Sequence, residues 1–87
     1  MNNELFLYMA YDRVGMVFNA PFAAINDACA IRMFKGNAKH PEIAVIADDL
    51  DLYKLGSLDP KTGEFKYADD SCKPVFLFRL AEEVNNG

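Results

Sequence analysis

Apolar residues form two kinds of pattern along this chain. The first, a strand-like apolar run, predicts a hairpin near the beginning of the sequence. Residues 5–11 form an unbroken apolar and aromatic run, which is typical of a strand. Residues 12–15 contain Asp and Gly and predict a turn, after which residues 16–18 return as a second strand. Pro21 ends regular pairing, because proline has no amide hydrogen to donate to a ladder.

The second pattern, apolar residues spaced three and four positions apart, predicts a helix at residues 26–36. Asn26 and Asp27 are good N-cap residues, and Gly36-Asn37 is a natural helix stop, although the pattern itself runs on to Ala38. The apolar face that defines this helix consists of Ala28, Ile31, Phe34 and Ala38.

A second hairpin is predicted after an ambiguous apolar patch at residues 42–49. Residues 50–58 are predicted to be a third strand and residues 64–68 a fourth. The Asp-Pro-Lys-Thr-Gly sequence at residues 59–63 has Asp and Pro where a type I turn favours them, followed by a Gly for positive φ. The same stretch is not predicted to be a phosphate-binding loop, which requires a longer glycine pattern at the start of a helix.

Residues 74–84 fit a short strand, a helix, or a strand that passes into a helix. Helical spacing and a proline suited to a first helical turn favour the helix. The predicted fold is therefore a single α+β domain over residues 1–87. It is a two-layer sandwich in which an antiparallel sheet of two hairpins packs against one main helix, in the order β-β-α-β-β, with a C-terminal helix.

Composition places the domain among small intracellular proteins. A chain of 87 residues buries only about 60–65% of its unfolded surface, which its 52% hydrophobic content and self-association into a homodimer would both offset. Two cysteines are too few for a secreted disulfide framework, and we expect reduced thiols. The sequence has neither a signal peptide pattern nor an apolar run long enough for a membrane helix, so we expect no membrane association.

Catalytic and metal chemistry are not predicted. The single histidine, His40, precedes a proline on a predicted loop, and Cys29 falls inside the predicted helix, so a Cys–His dyad is disfavoured. Asp48, Asp49 and Asp51 offer oxygen ligands for a hard cation, but such clusters are usually solvated strand starts. We therefore expect a non-enzymatic protein without a cofactor or metal.

Charge is unevenly distributed, which favours an anion-binding surface despite the net charge of −4. Residues 13–40 contain four basic residues and one acidic residue, whereas residues 41–87 contain five basic and ten acidic residues. Three of the basic residues are spaced to share one helix face, and tyrosines on predicted strands could stack on bases, as in proteins that hold single-stranded nucleic acid. The predicted nucleic-acid-binding residues are Arg32, Lys35, Lys39, Tyr8, Tyr11 and Tyr53. The alternative interpretation is that the basic residues form a solvated face near a helix C-terminus and that the aromatic residues are core.

A series of short segments also matches a known family in order and spacing along most of residues 5–68. The segments are Tyr8-Met9-Ala10-Tyr11-Asp12, Ala20-Pro21-Phe22-Ala23, Asn26 to Phe34, His40-Pro41-Glu42, and Leu52 to Asp59 continuing through Thr62-Gly63-Glu64-Phe65. In these segments the chain resembles the small nonstructural protein of gokushovirus-type microviruses, phages with small circular single-stranded DNA genomes.

The resemblance implies a phage protein of the host bacterial cytoplasm that acts in viral DNA replication or packaging. Arg32 and Phe34 match the family's helix motif, and Tyr53 and Gly56 its strand motif. Our leading hypothesis is a non-enzymatic accessory protein that binds single-stranded DNA. The alternative is a protein-interaction module that binds a viral replication protein, a capsid protein or a host protein.

Overall fold

The main feature of the molecule is a six-stranded antiparallel sheet, seen in a computed structural model that describes residues 4–81. One helix of 11 residues accompanies the sheet. The strands are β1 (Leu5–Asp12), β2 (Val17–Phe18), β3 (Phe22–Ala24), β4 (Leu50–Leu58), β5 (Phe65–Tyr67) and β6 (Val75–Arg79). The helices are α1 (Asp27–Asn37), the short α2 (Pro41–Ala44) and a 3-10 turn at Ala47–Asp49.

The two long strands, β1 and β4, form the centre of the sheet. They pair antiparallel over their whole lengths, from Leu5 opposite Leu58 to Asp12 opposite Leu50. The outer edge of β1 is shared by β2 and β3, and the outer edge of β4 is shared by β5 and β6. Each outer edge is therefore made of two short strands placed end to end.

Helix α1 covers one face of this sheet. The Asn26 side chain caps the helix by accepting a hydrogen bond from the amide of Cys29 at 2.8 Å. Ala30 and Phe34 are its buried residues, and the Phe34 ring meets Phe78 of β6 edge-on at 6.2 Å. The predicted helix at 26–36 is thus present, shifted by one residue at each end.

The core lies between α1 and the sheet and is small. Its buried apolar residues within 4–81 are Tyr8, Ala24, Ala30, Phe34, Leu50, Leu52 and Leu80. None of the helices in this part of the chain combines the length and apolar character needed to span a bilayer.

The predicted fold class is wrong in its layout. The expectation was two hairpins and one helix in the order β-β-α-β-β, whereas a single six-stranded sheet is observed. One strand absent from the prediction is β3, because Pro21 was predicted to end regular pairing. The proline instead lies just before β3, and the chain resumes pairing with β1 at Phe22 opposite Tyr8.

The favoured C-terminal helix is also wrong over residues 75–79, which form β6. Helical spacing in this segment was overridden by pairing with the free edge of β4, where Asp51 lies opposite Arg79. Leu80 and Ala81 begin a helical turn, so the strand-to-helix alternative fits the described part. The remainder of the predicted helix, residues 82–84, lies outside the described residues.

Candidate nucleic-acid interface

The three predicted basic residues lie together, two of them on α1 and Lys39 just beyond its C-terminal end. Arg32, Lys35 and Lys39 line a shallow cavity of about 420 Å³ on the helix surface. The Lys35 ammonium lies 5.3 Å from the centroid of the Phe78 ring, and Arg32 donates a weak hydrogen bond to Cys29 Sγ at 3.7 Å. We refer to these three residues as the basic stripe.

Tyr8 does not share a surface with the basic stripe, because its side chain is in the core with 0% exposure. Its ring stacks on Phe22 at 5.8 Å, and its hydroxyl donates to Asp27 Oδ1 at 2.7 Å. Burial and the neighbouring Asp27 carboxylate raise the pKa of Tyr8 above its ordinary value. Tyr8 has no exposed ring face for a base, so we omit it from the proposed interface.

Asp27 connects Tyr8 to a lysine of the central strand. The Lys54 ammonium lies 3.0 Å from Asp27 Oδ1, the same oxygen that accepts the Tyr8 hydroxyl. The Tyr8 hydrogen bond, assisted by Lys54, lowers the pKa of Asp27 below its ordinary value although partial burial opposes this. These contacts tie the first turn of α1 to β1 and β4.

Tyr11 and Tyr53 lie on the side of the sheet opposite α1, together with two phenylalanines. Strand alternation places them there, since Tyr8 and Leu52 of the same strands face the core. Tyr11 and Tyr53 meet edge-on at 5.9 Å. The complete group, here named the aromatic face, is Tyr11, Phe18, Tyr53 and Phe76.

The rings of the aromatic face form a continuous surface. Phe18 lies 4.7 Å from Tyr11 and 5.3 Å from Tyr53, and Phe76 lies 5.8 Å from Tyr53. Phe18 and Phe76 are 39% and 46% exposed, so they present ring area to solvent. The sequence prediction includes neither ring, because it assigns stacking to tyrosines alone and places Phe76 in a helix. Strand alternation alone would not have found Phe76, because it groups Phe76 with Phe78, whereas the bulge opposite Leu52 and Tyr53 puts Phe78 against α1 and Phe76 beside Tyr53.

Two arginines border the aromatic face and are held by one buried carboxylate. Arg79 donates to both oxygens of Asp51, from Nε at 2.9 Å and from Nη2 at 3.1 Å. Its guanidinium carbon lies 5.6 Å from the Phe76 ring centroid, in cation–π range. Arg13 approaches Asp51 with Nε at 3.5 Å and donates to the backbone carbonyls of Asp48 and Asp49.

This arrangement gives Asp51 a role that the sequence did not indicate. The Asp51 side chain is only 2% exposed, whereas those of Arg13 and Arg79 are about one third exposed. Asp49 lies in the 3-10 turn before β4, and Asp51 is buried, whereas the sequence predicted a solvated cluster at the start of the strand. Two guanidinium groups therefore meet at one buried carboxylate beside exposed aromatic rings.

The six predicted residues therefore separate into three locations. The basic stripe lies along α1 and just beyond its C-terminal end, Tyr8 lies in the core, and Tyr11 and Tyr53 lie on the far side of the sheet. The residues that the structure adds to Tyr11 and Tyr53 are Phe18, Phe76, Arg13 and Arg79.

Similarity to known proteins was found at the level of the family. No curated protein and no solved structure matches the chain. The family model described as Phage ORF5 protein matches residues 5–82, which include every strand of the sheet and helix α1. The chain is therefore a member of the Phage ORF5 protein family, a family of small phage proteins.

Proposed function

We propose that this phage protein is a non-enzymatic accessory factor that binds single-stranded DNA through the aromatic face. The observation that supports the proposal is the continuous surface of four rings on the side of the sheet opposite α1, bordered by Arg13 and Arg79. Unpaired bases stack on such rings without sequence preference, and each base–ring contact is worth about 1–3 kcal/mol.

The two arginines suit the backbone that would accompany stacked bases. Asp51 holds the guanidinium of Arg79 in position over Phe76, so less side-chain entropy is lost when a phosphate binds. Only a few cations border this surface, and the protein has a net charge of −4. Stacking should therefore supply more of the affinity than phosphate neutralisation, and the salt dependence should be shallow.

The biological setting of the proposal comes from the family and from the resemblance in sequence. The family is a phage family, and the segments quoted above resemble those of gokushovirus-type microviruses, whose genomes are single-stranded. We place the protein in the host bacterial cytoplasm, where it would bind viral single strands during replication or packaging.

The proposal is tested by fluorescence anisotropy of a labelled oligothymidylate and of a duplex of the same length across a salt series. We expect preferential binding of the single strand, with affinity reduced roughly 5- to 150-fold in Phe76→Ala, since one stacking contact is lost. Val45→Ala is the matched control, because Val45 is 81% exposed and lies just after α2. Absence of binding at low salt, or equal affinity of Phe76→Ala and the wild type, would overturn the proposal.

A protein partner is the second candidate function, supported by the turn between β1 and β2. Val14, Met16 and Val17 are 75%, 77% and 54% exposed, and they continue the apolar surface from Phe18. Contiguous exposed apolar residues commonly mark protein contacts. A viral replication protein, a capsid protein or a host protein could bind here, as could a second copy of the chain.

Crosslinking and recovery of the protein from infected cells would test this second candidate. We expect a defined viral or host protein to be recovered with the wild type and lost with Val14→Ser/Met16→Ser. Sedimentation of the purified protein would identify a homodimer. Recovery of the same partner by the double variant, in a monomeric protein, would count against a role for this turn.

A further inference from the structure

A separate cavity of about 260 Å³ opens on the helix side of the sheet, between β5 and β6. It exists because the two strands pair with successive parts of β4: β6 with Asp51 to Lys54, and β5 with Gly56 to Leu58. The resulting gap is lined by side chains from β1, α1, β4, β5 and β6, among them Phe6, Asp27, Lys54, Lys66, Tyr67 and Leu77. We refer to it as the β5–β6 cavity.

The charges in the β5–β6 cavity favour an anion. Lys54 is held at the cavity wall by Asp27 at 3.0 Å and by the Phe6 ring, whose centroid lies 4.4 Å from the ammonium. Lys66 lines the cavity from β5. The cavity is therefore lined by two lysines and one carboxylate residue, and the Lys54 ammonium is fixed in position before any ligand arrives.

The remaining walls favour a ligand that has a flat, apolar part as well as a charge. Phe6 is partly buried beside the core, whereas Tyr67 is 50% exposed at the mouth of the cavity. Pockets for drug-sized ligands measure roughly 300–1,000 Å³, so this cavity suits a somewhat smaller molecule. Ser57 and Asp27 add a hydroxyl and a carboxylate that can hydrogen-bond the edge of a base.

We propose that the β5–β6 cavity binds one nucleotide, with its phosphate between Lys54 and Lys66 and its base against Phe6 and Tyr67. Lys66 also lines a smaller neighbouring cavity with Asp59 and Glu64, whose negative charges oppose a second phosphate on that side. The site therefore suits a monophosphate or a single unit of a DNA strand.

The choice of a nucleotide rests on the proposed function, because the β5–β6 cavity and the aromatic face meet at the same edge of the sheet. Val75 lines the cavity, and the next residue, Phe76, belongs to the aromatic face. Tyr53 and Lys54 are likewise neighbours in β4, one on each face. A single strand that passes round β6 could place one nucleotide in the cavity while its neighbours stack on the rings.

The test is an NMR titration of the full-length protein, labelled with ¹⁵N, with deoxythymidine monophosphate. We expect saturable shifts of the amides of Gly56, Ser57 and Ala68. In Lys66→Ala the affinity should fall roughly tenfold or more, because a charge-assisted hydrogen bond is lost. Lys61→Ala is the matched control, since Lys61 is an exposed lysine of the β4–β5 turn.

A second variant, Ala68→Trp, fills the cavity from the position just after β5. It should abolish the shifts, and urea titration should show that the variant remains folded. Shifts that do not saturate at millimolar nucleotide, or that persist unchanged in both variants, would overturn the proposal. Inorganic phosphate that shifts the same amides with the same affinity would also overturn it, in favour of a bare phosphate site. Phe76→Ala separates the two proposals: it should weaken oligonucleotide binding and leave monophosphate binding unchanged.

Discussion

Gly56 of β4 lies so close to the backbone carbonyl of Lys66 in β5 that a β-carbon at position 56 would overlap it. The ring of Phe65 closes the same space from the side, 2.7 Å from the position of that carbon. A glycine at position 56 is therefore required by the approach of β5. The same approach shapes one wall of the β5–β6 cavity.

Gly56→Ala should accordingly separate β5 from β4. We expect a loss of about 2–4 kcal/mol in the free energy of unfolding, measured by urea denaturation, because backbone cannot move aside as a side chain can. Gly36→Ala is the control: no atom lies within 4 Å of its added carbon, and alanine stabilises a helix interior by about 0.5–1 kcal/mol. Equal effects of the two substitutions would contradict the steric argument.

Asp51→Asn should destabilise the protein by about 1–3 kcal/mol, since the amide leaves two guanidinium groups without their buried counter-charge. The loss in free energy of unfolding is smaller than for a fully buried ion pair, because Arg13 and Arg79 are about one third exposed and water can replace part of the interaction. Urea denaturation measures the change, with Asp70→Asn in an exposed loop as the control. An unchanged unfolding midpoint in Asp51→Asn would mean that the ion pair contributes no net stability.

Tyr8→Phe should flatten the pH dependence of stability at both ends. The pKa of Asp27 is lowered in the folded state, so its contribution is present above the unfolded pKa of about 3.9 and is lost as the pH falls through the folded pKa. The pKa of Tyr8 is raised, so its contribution is present below about pH 10 and is lost as the pH rises further. The substitution removes the largest cause of the first shift and the titrating group of the second.

Urea denaturation of wild type and Tyr8→Phe between pH 2.5 and 11 measures this effect, and ¹³C NMR of the Asp27 carboxyl follows its titration directly. We expect the variant to lose about 1 kcal/mol near neutral pH, the usual net value of one hydrogen bond. The Asp27 pKa should move up towards its ordinary value. An unchanged Asp27 titration would show that the Tyr8 hydroxyl does not hold the carboxylate in solution.

Arg32→Glu/Lys35→Glu/Lys39→Glu tests the basic stripe as a DNA contact. The hypothesis from sequence is that this change abolishes DNA binding and leaves the fold intact. The basic stripe lies along α1 and just beyond its C-terminal end, whereas the aromatic face lies on the other side of the sheet. A short oligonucleotide reaches only one of these surfaces, so comparing a short with a long oligonucleotide should separate the contributions of the two surfaces to DNA binding. Anisotropy with a short and a long oligothymidylate measures this. Unchanged affinity for both lengths would exclude the stripe and leave the aromatic face as the interface.

Local patterns predicted the elements whose neighbours lie close in sequence. The turn at Asp12 to Gly15 and helix α1 are set by side chains that bond within a few residues, such as Asp12 Oδ1 accepting from the amides of Val14 and Gly15. β4 begins and ends where its apolar run predicted. These features need no knowledge of what packs against them.

The elements that were missed depend on distant partners. β3 and β6 are short segments whose conformation is decided by the free edges of β1 and β4, which no local pattern of residues 22–24 or 75–79 contains. The candidate site was divided for the same reason, because the face on which a tyrosine lies depends on register. A bulge between Leu7 and Tyr8 and another between Leu52 and Tyr53 change that register within the strands themselves.

The central pairing of β1 with β4 also has a consequence for how the chain is made. Leu5 pairs with Leu58, so this end of β1 has no partner along that edge until more than 50 further residues have been synthesised. Closing so long a loop costs entropy before the sheet repays it, and folding should be slower than in a helical domain of this size. During that interval the apolar first strand is exposed in the host cell, where rapid capture by a chaperone or by another nascent copy would compete with folding.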